Sequence, residues 1–213
     1  AGFGVEDMFA EFYALVQEPF MGLANSYGSA LLIAFITPFL WFFGLHGANM
    51  IDPFMQAINA PAIEANNAAL SAGKAAPYIV NKPFIDSFVN MGGTGVTIGL
   101  IIAIYLVGRK NKPFMVVNNL AAAPGIFNIN EPVIFGAPIV MNPILGIPFL
   151  VAPLITTTIS YFATTTGIVP MMAARLGFAI PAPIAAWMST NWSVAAGILF
   201  VVNFLITLAI YYP

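Results

Sequence analysis

Apolar residues fill long stretches of this chain, and its polar residues are gathered into short clusters between them. The longest apolar stretches cover residues 29–45, 96–107, 144–166 and 193–212. A helix needs about 20 apolar residues to cross a bilayer core, and each stretch is expected to form a span. Pro38, Pro148 and Pro153 then bend their helices rather than end them. Ahead of these runs, Phe9, Phe12, Val16, Phe20 and Leu23 recur at helical spacing, while Glu6, Asp7, Glu11 and Glu18 fall mostly elsewhere. That pattern predicts an amphipathic helix, lying at the membrane interface or against other protein.

Two polar clusters interrupt the apolar pattern. The first holds His46, Gly47, Asn49, Asp52 and Pro53; the second, over residues 127–143, holds Asn128, Asn130, Glu131 and Asn142 among Pro132, Gly136, Pro138 and Pro143. Three prolines and a glycine in so short a run exclude one unbroken helix. Irregular backbone at membrane depth is tolerated only where protein buries it or it lines a cavity. Both clusters are therefore expected to be re-entrant hairpins or broken helices, a pairing that marks midplane binding sites in transporters. Between them, residues 56–77 are rich in alanine and asparagine and read as a solvated helix or loop. Residues 81–95 are polar and glycine-rich, residues 114–126 form a short helix stopped by Pro124 and Gly125, and the stretch around Arg175 to Pro183 is a connection.

The fold class that follows is an all-α integral membrane protein. It is a helical bundle of about four spans plus two re-entrant hairpins or broken helices, with an N-terminal amphipathic helix. Residues 1–28 form that interfacial helix, and residues 29–213 form a transmembrane substrate-binding domain.

Composition sharpens this picture. Hydrophobic residues make up 60% of the chain and charged ones 7%, against about 25% charged in a soluble domain. A net charge of -2 excludes a basic nucleic-acid surface. Without cysteine the chain has no disulfide and no thiolate nucleophile, and a single histidine argues against a zinc site. No cofactor or metal is expected. Arg109, Lys110 and Lys112 are half of the six cations, so the positive-inside rule puts that end of the second span in the cytoplasm. The opening residues lack an initiator methionine, a basic leader and a cleavage site, so they are not a signal peptide. The chain reads as a piece that begins and stops inside a longer protein.

Glu131 and His46 carry the candidate chemistry. A carboxylate in an apolar membrane segment costs about 2.5–3.5 kcal/mol on insertion scales, which makes it a functional-site hypothesis by default. Paired with an imidazole, it can bind a hydroxyl and help remove its proton. Asp86, Asn90, Asn128 and Asn130, with Asn142, supply the bidentate acceptors and donors that suit vicinal sugar hydroxyls. Trp41 and Trp187 offer flat faces to the C–H side of a pyranose. Each residue also has a plain structural reading: His46 as a helix end, Glu131 and the asparagines as helix caps, the tryptophans as interfacial anchors. Trp192 reads as such an anchor, and the Gly92-Gly93-Thr94-Gly95 turn lacks the lysine of a phosphate loop.

The stretches Trp41-Phe42-Phe43-Gly44-Leu45-His46-Gly47-Ala48-Asn49 and Phe127-Asn128-Ile129-Asn130-Glu131-Pro132-Val133-Ile134-Phe135-Gly136 resemble the two signature segments of enzyme IIC. This is the permease component of the bacterial phosphotransferase system, in its lactose, cellobiose and N,N'-diacetylchitobiose family. The resemblance extends over essentially the whole chain, which looks like the C-terminal half of a family member. It implies a multi-pass protein of the bacterial inner membrane that binds a disaccharide and holds it for phosphorylation by a phosphocysteine of enzyme IIB. It implies homodimerisation through the absent N-terminal half. It also implies that His46 and Glu131 line the sugar site, with Asp86, Asn90, Trp41 and Trp187 near them. A sugar facilitator without phosphoryl transfer, or a membrane hydrolase or isomerase using His46 and Glu131, are the alternative classes.

Overall fold

The computed structural model describes residues 22, 26–174, 176–177 and 180–213. The amphipathic helix expected over residues 6–23 and the residue Arg175 lie outside the described residues, apart from Gly22.

Among the described residues all regular structure is helical. Helix α1 is Tyr27–Phe42, α2 is Gly47–Ser71, and a single turn α3, Lys82–Phe84, runs straight into a π-helical turn, Ile85–Val89. Helix α4, Ile98–Val107, ends in a 3₁₀ turn and hairpins into α5, Lys112–Ile126. The short α6, Glu131–Gly136, precedes the long α7, Pro143–Thr165; α8, Ala182–Ser189, and α9, Val194–Tyr211, complete the chain.

Helices α1 and α7 run antiparallel. The hydroxyls of Tyr27 and Thr158 meet at 2.9 Å near one end, and the Met141 N–H donates to the Phe42 carbonyl at the other. Helix α9 is tied to α7 by the Asn203 amide, which donates to the Ser160 hydroxyl at 2.7 Å. It is tied to the start of α4 by the Tyr211 hydroxyl, which donates to the Gly95 carbonyl at 2.6 Å.

The polarity of α7 and α9 is turned inside out. Thr156, Thr157, Ser160, Thr164, Asn203 and Thr207 are buried, whereas Ile147, Ile198, Val201 and Leu205 face outward. In water such an outer face would be an aggregation surface; against lipid it is the ordinary arrangement, with polar residues joining helices inside. These two helices are long and apolar enough to cross a membrane. The spans expected over 29–45 and 96–107 form helices of 16 and 10 residues. At about 1.5 Å per residue, α4 covers only half of a roughly 30 Å bilayer core.

The irregular segment expected at residues 47–53 is instead the opening of the continuous 25-residue α2, with Pro53 and Pro61 inside it. A proline removes one donor and crowds one carbonyl, and a helix tolerates this where neighbouring groups compensate. Gly47 explains how α2 starts so abruptly: a Cβ there would lie 2.0 Å from the Thr37 carbonyl oxygen. Only a glycine lets the helix begin against α1 so closely. The real interruption falls later, over residues 82–97. Asn81 caps α3 by accepting the Phe84 N–H at 3.1 Å and donates to the Met172 carbonyl at 2.9 Å. Asn66 on α2 donates to the Met172 and Tyr78 carbonyls and accepts the Tyr78 N–H. These two asparagines hold the chain between α2 and α3 in place. The short helix expected over 114–126 is α5, which ends at Ile126 with Pro124 inside its last turn.

Two apolar clusters flank the polar centre. One gathers Trp41, Met91, Val96, Ile134, Ile139 and Phe149, the other Ala30, Ala34, Phe84, Phe88, Tyr161 and Val169. The loops at 90–97 and 127–130 meet beside them.

Candidate functional site

His46 sits where α1 turns into α2. As the N-cap of α2 it accepts the Asn49 N–H on Nδ1 at 3.2 Å, satisfying a donor that the first helical turn leaves orphaned. An Nδ1 that accepts carries no proton, so the ring N–H is on Nε2. That nitrogen lies 3.3 Å from Glu131 Oε1 and donates to it. Glu131 is the first residue of α6, with Pro132 fixing the helical turn after it. The two side chains, 85 positions apart, therefore meet because two helix starts face each other. Both remain partly open, at 38% and 43%, so a ligand can reach them.

Trp41 lies under His46, with ring centroids 4.3 Å apart, and Phe135 packs edge-on at 5.8 Å. At 3% exposure, Trp41 serves as the floor that orients the imidazole. Its indole N–H is buried without a partner.

Trp41, His46 and Glu131 line a cavity of about 460 Å³ together with Asn49, Asp52, Gln56, Lys82, Asp86, Asn90, Thr94, Asn128 and Asn130. That size falls within the roughly 300–1,000 Å³ of small-molecule sites. Of the side chains expected at a site, Trp41, His46, Asp86, Asn90, Asn128, Asn130 and Glu131 are brought together. Trp187 is not among them. It lies on α8, 44% exposed, edge-on to Trp192 at 5.6 Å.

Sequence reasoning missed Lys82, which grips both oxygens of Asp86 at 2.5 and 2.6 Å. Its signal was present in the i, i+4 spacing of a lysine and an aspartate, but that pairing is ordinary on any helix. Here it holds a carboxylate at the cavity wall. Asp52 and Gln56, one helical turn apart on α2, were missed because α2 was not expected to be one helix.

The cavity is thus a polar chamber with three carboxylates, one ammonium and several amides, set among apolar helices. It holds hydrogen-bonding groups of both kinds and one neutral imidazole donating to a carboxylate. Among the described residues no group of three metal-ligating side chains is assembled. Such a lining suits an uncharged ligand rich in hydroxyls.

Comparison with known proteins decides the family. The family model described as "Phosphotransferase system, EIIC" matches residues 2–153. The chain belongs to this family. Over 204 residues it is 40% identical to the oligo-beta-mannoside-specific EIIC component of Bacillus subtilis, covering 94% of this chain and 46% of that protein. It is 38% identical over 222 residues to the cellobiose-specific EIIC component of Lactococcus lactis, covering 93% and 44%. The crystal structure of the transporter ChbC, the IIC component from the N,N'-diacetylchitobiose-specific phosphotransferase system, superposes with a TM-score of 0.89. It is 36% identical, with 93% of this chain and 46% of that one covered. The chain therefore spans about half the length of these relatives, and it shares the all-helical membrane fold of this EIIC family.

Proposed function

We propose that this chain is the sugar-holding part of a phosphotransferase permease, residues 29–213 forming its substrate-binding domain in a multi-pass protein of the bacterial cell membrane. The observation that carries the reading is the His46–Glu131 pair at an amide-rich cavity. The chemistry needs a proton acceptor held steady beside one hydroxyl, and this pair supplies it, with the Glu131 carboxylate as acceptor and His46 holding it. The substrate class is a β-linked disaccharide of the cellobiose, lactose, β-mannoside or diacetylchitobiose type, by analogy with the relatives.

In this reading the sugar lies across the cavity, its hydroxyls bonded to Asp86, Asn90 and Glu131. Glu131 accepts the proton of the hydroxyl that becomes phosphorylated. His46, donating from Nε2, fixes the carboxylate and keeps its second oxygen free. As the sugar oxygen bonds to phosphorus, the bond from phosphorus to the cysteine sulfur of enzyme IIB breaks and the sulfur leaves as thiolate. These 213 residues contain no cysteine, so the donor thiol of enzyme IIB lies outside them. Catalysis by the chain itself is then positioning plus one proton transfer. Dimerisation through the segment absent from this chain completes the assembly.

The deciding experiment uses the full-length protein in membrane vesicles with phosphorylated enzyme IIB. Formation of sugar phosphate from one of these disaccharides supports the proposal. Saturable binding without sugar phosphate would make the protein a facilitator, and a product formed without enzyme IIB would make it a hydrolase or isomerase.

A further inference from the structure

Asn130, which sequence reasoning gave to the sugar, has both of its amide hydrogens held by a neighbouring loop. Its Nδ2 donates to the Thr94 carbonyl at 2.6 Å and to the Thr97 hydroxyl at 3.0 Å, which uses both amide hydrogens. The Thr97 hydroxyl in turn donates to the Gly92 carbonyl at 2.6 Å, and the Gly92 N–H donates to Asn128 Oδ1 at 2.9 Å. These bonds join the loop at 90–97 to the loop at 127–130 in one circuit. Asn130 is 4% exposed and Thr97 fully buried, so water does not compete for them. Gly93 completes the fit. A Cβ there would lie 2.3 Å from the Asn130 side-chain carbon, so the amide packs closely against the Gly93 backbone.

We propose that Asn130 and Thr97 are positioning residues that set the Glu131 carboxylate toward His46, and that neither is a sugar ligand. Glu131 follows Asn130 directly and opens α6, and Asn130 shows no side-chain cap bond to that helix. The place of Glu131 is therefore fixed by what holds Asn130, and that is the other loop. A shift between the loops moves the carboxylate away from the imidazole, which belongs to a third element, α2. The inference rests on the reading of Glu131 as the group that meets the sugar.

Thr97 decides the matter because it does not line the cavity. The test uses the full-length protein with Thr97→Val, which keeps shape and removes the hydroxyl, and Thr97→Ser, which keeps the hydroxyl. Asn130→Asp, which replaces both donors at constant size, is the second variant should Thr97→Val fail to accumulate. Hydrogen exchange of the amides at 129–131, 133 and 134 is expected to rise about tenfold in Thr97→Val, the scale of one lost buried hydrogen bond. In Thr97→Ser it is expected to stay near wild type. Cellobiose and diacetylchitobiose affinity is expected to fall about fivefold in Thr97→Val, and by less than about twofold when Glu131→Gln is already present. Two residues acting through one group are not additive. Unchanged exchange in Thr97→Val, or an equal loss of affinity in both backgrounds, would overturn the proposal. If the wild type binds none of the disaccharides, the proposed function fails, while the exchange measurement still decides whether the circuit holds the loops.

Discussion

In the proposed function Glu131 and His46 divide the work at the site, and substitutions can separate their roles. In the full-length protein Glu131→Gln keeps a hydrogen-bonding amide beside His46 but cannot take a proton. Sugar phosphorylation is expected to fall about 10²–10⁴-fold, the usual worth of a general base, with a smaller loss of affinity. A wild-type rate would remove the base role. His46 has a second duty as the cap of α2. His46→Ala loses both duties and is expected to lower stability by about 1 kcal/mol. His46→Asn, a good cap, restores the stability but not the phosphorylation rate. Thermal unfolding in detergent beside the phosphorylation assay checks both halves, and equal melting of the two variants would deny the capping role.

At the scale of elements, the site depends on how closely helix starts and loops approach one another. Gly47→Ala places a methyl group against the Thr37 carbonyl, and the start of α2 must move away from α1. Overpacking of this kind costs about 1–3 kcal/mol. Melting and disaccharide binding are expected to fall together, because His46 moves with that helix start. Retained melting and affinity would show that the approach can relax without cost. The Asn81 side chain caps α3 and holds the Met172 carbonyl. Asn81→Ala leaves buried groups unpaired and is expected to cost about 1–3 kcal/mol, read as a lower unfolding temperature.

For the whole molecule, the outward apolar faces of α7 and α9 set the environment the protein requires. Ile198 is 60% exposed on α9. On a soluble protein Ile198→Arg would be harmless; facing lipid it is expected to cost about 2.5–3.5 kcal/mol on insertion scales. The measurement is the yield of folded full-length protein in membranes, and an unchanged yield would place this face outside the bilayer. The same face explains why the polar residues Thr157, Ser160 and Asn203 turn inward: lipid offers them no hydrogen bond.

Hydrophobic pattern alone determined the helical membrane class, the courses of α7 and α9, and the two motifs whose meeting makes the candidate site. These are local properties, carried by the length of apolar runs and by a carboxylate and a histidine out of place in them. Tertiary structure decided the rest. That α2 is continuous depends on how Gly47 and His46 fit against α1, and the break at 82–97 depends on Asn66, Asn81 and the turn they hold. Trp41 became the floor beneath His46 and Trp187 came to lie elsewhere, though both read alike as tryptophans beside apolar runs. Asn130 and Lys82 took their partners from the packing of loops and turns. Sequence spacing records which groups a segment carries, but a hydrogen bond across 33 positions, like that of Asn130 with Thr97, exists only once the loops have been brought together.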